Sequence, residues 1–127
     1  MERSLRSSLN QRFPPKRVLL IDQNEHSLEL SQEILDNPIF TIQKVSTTSV
    51  SKARNSALID FPFEWITFCD DDGYMDNNYS EVLKEQIEEN PECSIFAGSI
   101  IRDDNFEFYS PRHSIGGDII NSGTLSY

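Results

Sequence analysis

The sequence predicts an α/β protein, a three-layer sandwich with a mostly parallel sheet between helices. Three observations predict it. Four apolar runs alternate with four helical stripes, in the order helix-strand repeated. The 127-residue length suits one domain, read over 1–127 with an irregular segment at 102–127. Two of the apolar runs end in aspartate, and ligands of open parallel sheets sit at the carboxyl ends of strands.

The first helix is read over 2–12, where Leu5 and Leu9 are four apart, and Pro14 and Pro15 stop it. RVLLI at 17–21 is a compact buried strand, followed by a polar turn at 22–25. Asn24 or Ser27 can cap a helix through Asp36 that carries Leu28, Ile34 and Leu35, and Asn37-Pro38 ends it. Residues 40–45 alternate apolar and polar as a second strand. Val50, Ala53, Ala57 and Leu58 then form a helical stripe behind Ser49, a plausible N-cap. Residues 65–69 read as a third strand. Asn77 or Asn78 caps a helix to Asn90 with Val82, Leu83 and Ile87 inward, and 94–101 is a fourth strand. Beyond it come loops and one or two short strands.

Composition narrows the function. Apolar residues are 37% and charged residues 25%, and no apolar run approaches the ~20 residues of a membrane span. The start, MERSLRSSLNQRF, lacks the apolar core of a signal peptide. Cys69 and Cys93 lie in apolar runs and are expected to be buried free thiols, which suits a reducing compartment. The expected location is therefore the cytoplasm, with the inner face of a membrane as the peripheral alternative. Net charge is −10, from 21 acidic and 11 basic residues, which argues against nucleic acid as a partner. His26 and His113 are far apart, without metal-ligand spacing.

The chemistry concentrates in WITFCDDDGYMDNNY, residues 65–79. A structural turn needs one Asp or Asn, whereas three consecutive carboxylates repel one another. Either the aspartates are a solvated strand-to-loop turn, or a hard divalent cation such as Mg²⁺ or Mn²⁺ sits there and bridges to phosphate. An acidic pocket binds an anionic ligand when a metal inverts the local field.

Two families share features with the chain. RVLLIDQNEHSLELSQEIL resembles the start of a response-regulator receiver domain. However, Gln23 follows Asp22 where receivers pair two acids, and no lysine follows Lys84 to meet a phosphorylated aspartate. Four stretches in order resemble the N-terminal, nucleotide-sugar-binding half of family-two glycosyltransferases. SLRSSLNQRFPPKRVLLIDQN is similar to the family's first helix and the strand ending in Asp-Asp or Asp-Gln. SVSKARNSAL is similar to its Ala-Arg-Asn helix start, WITFCDDDGYMDNNYSEVL to its Asp-Asp-Asp strand end, and SIFAGSII to the next strand.

This resemblance implies a GT-A, Rossmann-like fold. It also implies a nucleotide-diphospho-sugar donor, an acceptor hydroxyl on a glycan or other molecule, and Mn²⁺ or Mg²⁺ as cofactor. The aspartates would be the D-x-D motif: Asp70 near the ribose, Asp70 and Asp72 at the metal, Asp71 assisting. Asp22 matches the base-recognising position. Arg54 matches a position beside the nucleotide, with an ion pair to an aspartate as its ordinary alternative, and Asn55 reads equally as a surface residue.

The pattern departs at Gln23, Ser49 and Ala57, where the family often has Asp, Gly and Gly. By comparison with the family, the strand before the first helix and the acceptor half with its acidic base lie outside 1–127, so the domain is expected to be partial and weakly active alone. The catalytic base stays unassigned, since Asp118 follows the D-x-D too closely. The alternative function is a receiver-like or degenerate interaction domain, with self-association through an exposed sheet edge.

Overall fold

The computed structural model describes residues 1–59 and 63–101 and the strand at 124–126. Helices and strands follow in the order α1 (Glu2–Leu9), β1 (Val18–Asp22), α2 (Gln32–Leu35), β2 (Phe40–Lys44), α3 (Val50–Ile59), β3 (Tyr74–Met75), α4 (Tyr79–Glu89), β4 (Ser99–Ile101) and β5 (Thr124–Ser126). The expected alternation of helix and strand is present, with short strands. The chain divides into two compact units, Lys16–Phe68 and Met1–Pro15 with Cys69–Tyr127. No described helix is long and apolar enough to cross a membrane.

In the unit Lys16–Phe68, β1 and β2 pair in parallel, with Val18 opposite Phe40 and Asp22 opposite Lys44. The β-branched and aliphatic content of VLLI and FTI favours this pleated pairing. α3 packs on β1, and α2 lies against β2. Ile34, Ala53 and Ala57 are buried, and Ile34 is 1% exposed. Alanines four apart let α3 approach the strand closely. The predicted stripe is therefore narrower than expected: Val50 and Leu58 are exposed.

The second helix is also shorter than expected. It is one turn, behind Ser31 in an extended conformation, and 24–31 are not helical. Two tertiary bonds hold that segment. Asp22 accepts from the Asn24 backbone N–H, and Lys44 donates to the His26 carbonyl. A carbonyl used by Lys44 is no longer left to a helix ladder. The predicted third strand, 65–69, is not a strand: Trp65, Ile66 and Phe68 are exposed, and no described ladder includes them. Its place in the order is taken by β3, after the aspartates.

In the other unit, β3, β5 and β4 form one sheet in that order, β3–β5 antiparallel and β4–β5 parallel. β4 is three residues rather than eight because its only described partner, β5, is three residues long. Leu5, Met75 and Tyr79 are buried here. Burying a side chain of Leu5's size contributes about 1.5–3 kcal/mol.

α1 ends at Leu9, three residues before the predicted end. Past it, the Gln11 side chain is buried and the Arg12 backbone N–H donates to the Asn77 carbonyl at 2.9 Å. Continuing the helix would break that bond. Expected Asn capping of α4 is also replaced. Asn78 stands at the N-cap position without a side-chain cap bond, and Gln11 Oε1 accepts from the Ser80 N–H at 2.9 Å instead.

Candidate functional site

Asp70, Asp71 and Asp72 are exposed on a tight turn closed by the Gly73 N–H donating to the Asp70 carbonyl at 3.2 Å. Ser4 and Ser7 of α1, with Gln11 just past its end, fix this turn. Ser4 Oγ donates to the Asp70 carbonyl at 3.1 Å. The Met75 N–H donates to Ser7 Oγ at 3.0 Å, and Gln11 Nε2 donates to the carbonyls of Ser7 and Asp76 at 2.8 Å each. Ser4 and Gln11 are buried, so these bonds are made away from water, where an unmade bond is expensive. The backbone on both sides of the carboxylates is thus fastened while the carboxylates face solvent.

Cys69 precedes the turn as a half-buried free thiol. Burial pushes it up from its ordinary value, a hydrogen bond with Ser4 opposes this, and the charges of Asp70 and Asp72 push it further up. The thiol is neutral at physiological pH, so it neither attacks electrophiles readily nor competes as a soft ligand beside the carboxylates.

In the unit Lys16–Phe68, Asp22 ends β1 and is 4% exposed. Its Oδ1 accepts from the backbone and side-chain N–H of Asn24, both at 2.9 Å. Its Oδ2 meets Lys44 Nζ at 3.0 Å, because parallel register sets Lys44 opposite Asp22. Lys44 Nζ also donates to the His26 carbonyl at 3.0 Å, and the Val45 N–H donates to the Asp22 carbonyl at 2.9 Å. Gln23 is exposed and donates to the Thr47 carbonyl.

Asn24 first, then Lys44, hold the Asp22 carboxyl below its ordinary value, against the upward push of burial. The sign follows: these bonds stabilise fully above the ordinary aspartate value of 3.8, and their contribution is lost as pH falls through the lower folded value. The Asp22 carboxyl resonance should therefore titrate with a midpoint below 3.8, and Lys44→Met should raise that midpoint. A wild-type midpoint at or above 3.8 would contradict this wiring.

Arg54 lies exposed on α3 with its guanidinium 5.5 Å from the centroid of the Phe68 ring. The contact is long, worth roughly 0.5–1 kcal/mol at an exposed site. Asn55 and His26 are exposed. Asp118 and His113 lie outside the described residues. The structure thus places Asp22 and Arg54 in one unit and Asp70, Asp71 and Asp72 in the other. Among the described residues, no three His, Cys, Asp or Glu side chains cluster as a metal-holding group. Two carboxylates two residues apart on an exposed turn do fit a divalent ion whose remaining positions are filled by diphosphate oxygens and water.

Sequence reasoning missed five residues. Lys44 and Asn24 set the electrostatics of Asp22, and Ser4, Ser7 and Gln11 hold the aspartate turn. A signal existed for Lys44: it ends the strand after β1, and adjacent parallel strands bring such ends together. A signal exists at the N-terminus as well: Ser4, Ser7 and Gln11 recur at helical spacing, on a different stripe from Leu5 and Leu9.

The family model described as Glycosyl transferase family 2 matches residues 1–125. No curated protein and no solved structure matches the chain.

Proposed function

Because the chain belongs to glycosyl transferase family 2, a family of GT-A, Rossmann-like α/β proteins, we propose that it binds a nucleotide-diphospho-sugar donor through a divalent metal on its aspartate turn, for transfer of the sugar to an acceptor hydroxyl. The observation that carries this reading is the turn itself. Three carboxylates point to solvent on a backbone fastened by Ser4, Ser7 and Gln11. A solvated loop would not need such fastening, whereas a ligand site gains from preorganisation.

In this reading Asp72, with Asp70, holds Mn²⁺ or Mg²⁺, Asp70 also reaches the ribose, and Asp71 assists. Asp22 meets the nucleobase, and Arg54 supplies a planar guanidinium to the diphosphate or the base edge. A bound divalent ion would stabilise negative charge on the departing diphosphate as a Lewis acid. The acceptor, a glycan or other hydroxyl compound, needs a general base to take its proton, and none is assigned among the described residues.

The test is release of nucleoside diphosphate from a panel of nucleotide sugars, with and without Mn²⁺ and hydroxyl acceptors. Metal-dependent release from at least one donor supports the reading, and metal-independent release or none counts against it. Acetyl phosphate with Mg²⁺ should leave the chain unmodified. A stable gain of one phosphoryl group on Asp70 or Asp71 would favour the receiver alternative.

Among the described residues the β1–β2 sheet has only two strands, which supports self-association through a free edge. Light scattering over a concentration series checks this, and a constant monomer mass would remove the idea.

A further inference from the structure

Arg3, Arg6, Ser7 and Asn10 recur at i, i+3, i+4 and i+7, so they share one face of α1 and its C-cap. That face forms one wall of an open groove of about 300 Å³, and Met75 and Asn77 form the other. The volume suits a small ligand. Both walls are fixed. The Met75 N–H donates to Ser7 Oγ at 3.0 Å, and the Asn77 carbonyl accepts from the Arg12 N–H at 2.9 Å. The Arg3 guanidinium lies 3.5 Å from the centroid of the Tyr74 ring, a stack that keeps its N–H groups directed along its own plane. Arg6 meets Glu2 at 4.0 Å in a half-exposed helical pair, a contact worth little in water. The side-chain amides of Asn10 and Asn77 are exposed and make no hydrogen bond to a described residue. Asp76 turns its carboxylate to the Asn78 N–H, and the described lining holds no acidic residue.

In a chain of net charge −10, two guanidinium groups on a groove without a lining carboxylate are a local reversal of sign. We propose that this groove is a second ligand site, which takes an acidic sugar: a saccharide carrying a carboxylate or a phosphate. Guanidinium groups bind the oxygens of either anion through paired N–H donors. Each amide offers a donor beside an acceptor, and a sugar hydroxyl, itself donor and acceptor, matches both. Met75, buried between them, gives an apolar floor for the C–H face of a sugar ring. A neutral sugar leaves both guanidinium charges unused, and a bare anion leaves both amides unused. The fixed walls cost a ligand little ordering of the protein. The site uses neither the metal nor the nucleotide nor the aspartate carboxylates, so an acidic sugar held here is a ligand additional to the donor.

The experiment is an NMR titration of the full ¹⁵N-labelled chain in EDTA, without nucleotide, against glucuronate, glucose 6-phosphate, glucose and inorganic phosphate. At least one acidic sugar should shift the side-chain N–H resonances of Arg3, Arg6, Asn10 and Asn77. It should bind at least about tenfold tighter than glucose or phosphate. The glucuronate and glucose 6-phosphate arms separate the two anions. Arg3→Gln and Arg6→Gln should each weaken that sugar about tenfold. Arg12→Gln, an equal change of charge outside the groove, should not. Asn77→Ala should weaken the acidic sugar and leave phosphate unchanged. No shift at these side chains with either acidic sugar overturns the proposal without any variant. So does equal binding of phosphate, which would make the groove a site for an adventitious ion only, and so does equal binding of glucose, which would remove the arginines from recognition. An Arg12→Gln loss as large as that of Arg3→Gln also overturns it, as a diffuse effect of charge. Metal-dependent nucleotide binding is untouched by any of these results.

Discussion

Mn²⁺ with a nucleoside diphosphate raises the melting temperature of the chain, and Asp72→Asn removes most of the rise. Binding to the native state alone stabilises by mass action, about 2.7 kcal/mol at a ligand concentration 100 times Kd. For a domain of this size that is a shift on the order of 10 °C. Neither component should act alone to the same extent. The exposed carboxylates of Asp70, Asp71 and Asp72 repel a diphosphate until a cation inverts their field. Replacing the Asp72 carboxylate by a neutral amide keeps shape and size and removes the charge that a hard cation prefers. Differential scanning fluorimetry with and without EDTA reads the effect. A shift that persists in Asp72→Asn, or one that nucleotide produces without metal, would remove the metal from the site.

Gln11→Ala costs about 2–3 kcal/mol of stability, although Gln11 touches no aspartate carboxylate. Its amide donates to the carbonyls of Ser7 and Asp76 and accepts from the Ser80 N–H. All three bonds vanish together, and the Ser80 N–H at the start of α4 loses the partner that stands in for an N-cap. Gln11→Glu keeps an acceptor for Ser80 but sets a buried carboxylate oxygen against the Ser7 and Asp76 carbonyls, so it should cost at least as much as alanine. Urea midpoints at unchanged m-value measure this. A loss below about 0.5 kcal/mol would show that water replaces the side chain without penalty.

The sequence made the alternation of helix and strand legible because local periodicity governs it. Val18 to Ile21 and Phe40 to Ile42 are apolar pleats wherever they fold, and Tyr79 to Glu89 carries a helical stripe. Element ends were not legible, because distant partners set them. α1 stops at Leu9 so that Arg12 can reach Asn77, and 24–31 stay non-helical under Lys44 and Asp22. Residues 65–69 have strand composition, but strands are made by partners, and none of the described ladders takes them. At the site, the carboxylate run was legible from charge alone. The groups that hold it, Ser4, Ser7 and Gln11, were not, since a serine on a short helix or a glutamine just past it looks like surface until its partner is known.

The bonds from Ser4, Ser7 and Gln11 to residues 70–80 span 65 to 69 residues of sequence, and all of Lys16–Phe68 lies inside that span. An eight-residue helix is too short to persist alone in water. During synthesis at 5–20 residues per second, α1 therefore leaves the ribosome roughly 3–13 s before the residues it must hold. Lys16–Phe68, being continuous in sequence, can form its parallel pair in that interval. The carboxylate turn forms only when α1 is recaptured, and closing so long a loop slows that step. An exchange experiment on refolding chains should find the β1 and β2 amides protected before those of Met75 and Ser80.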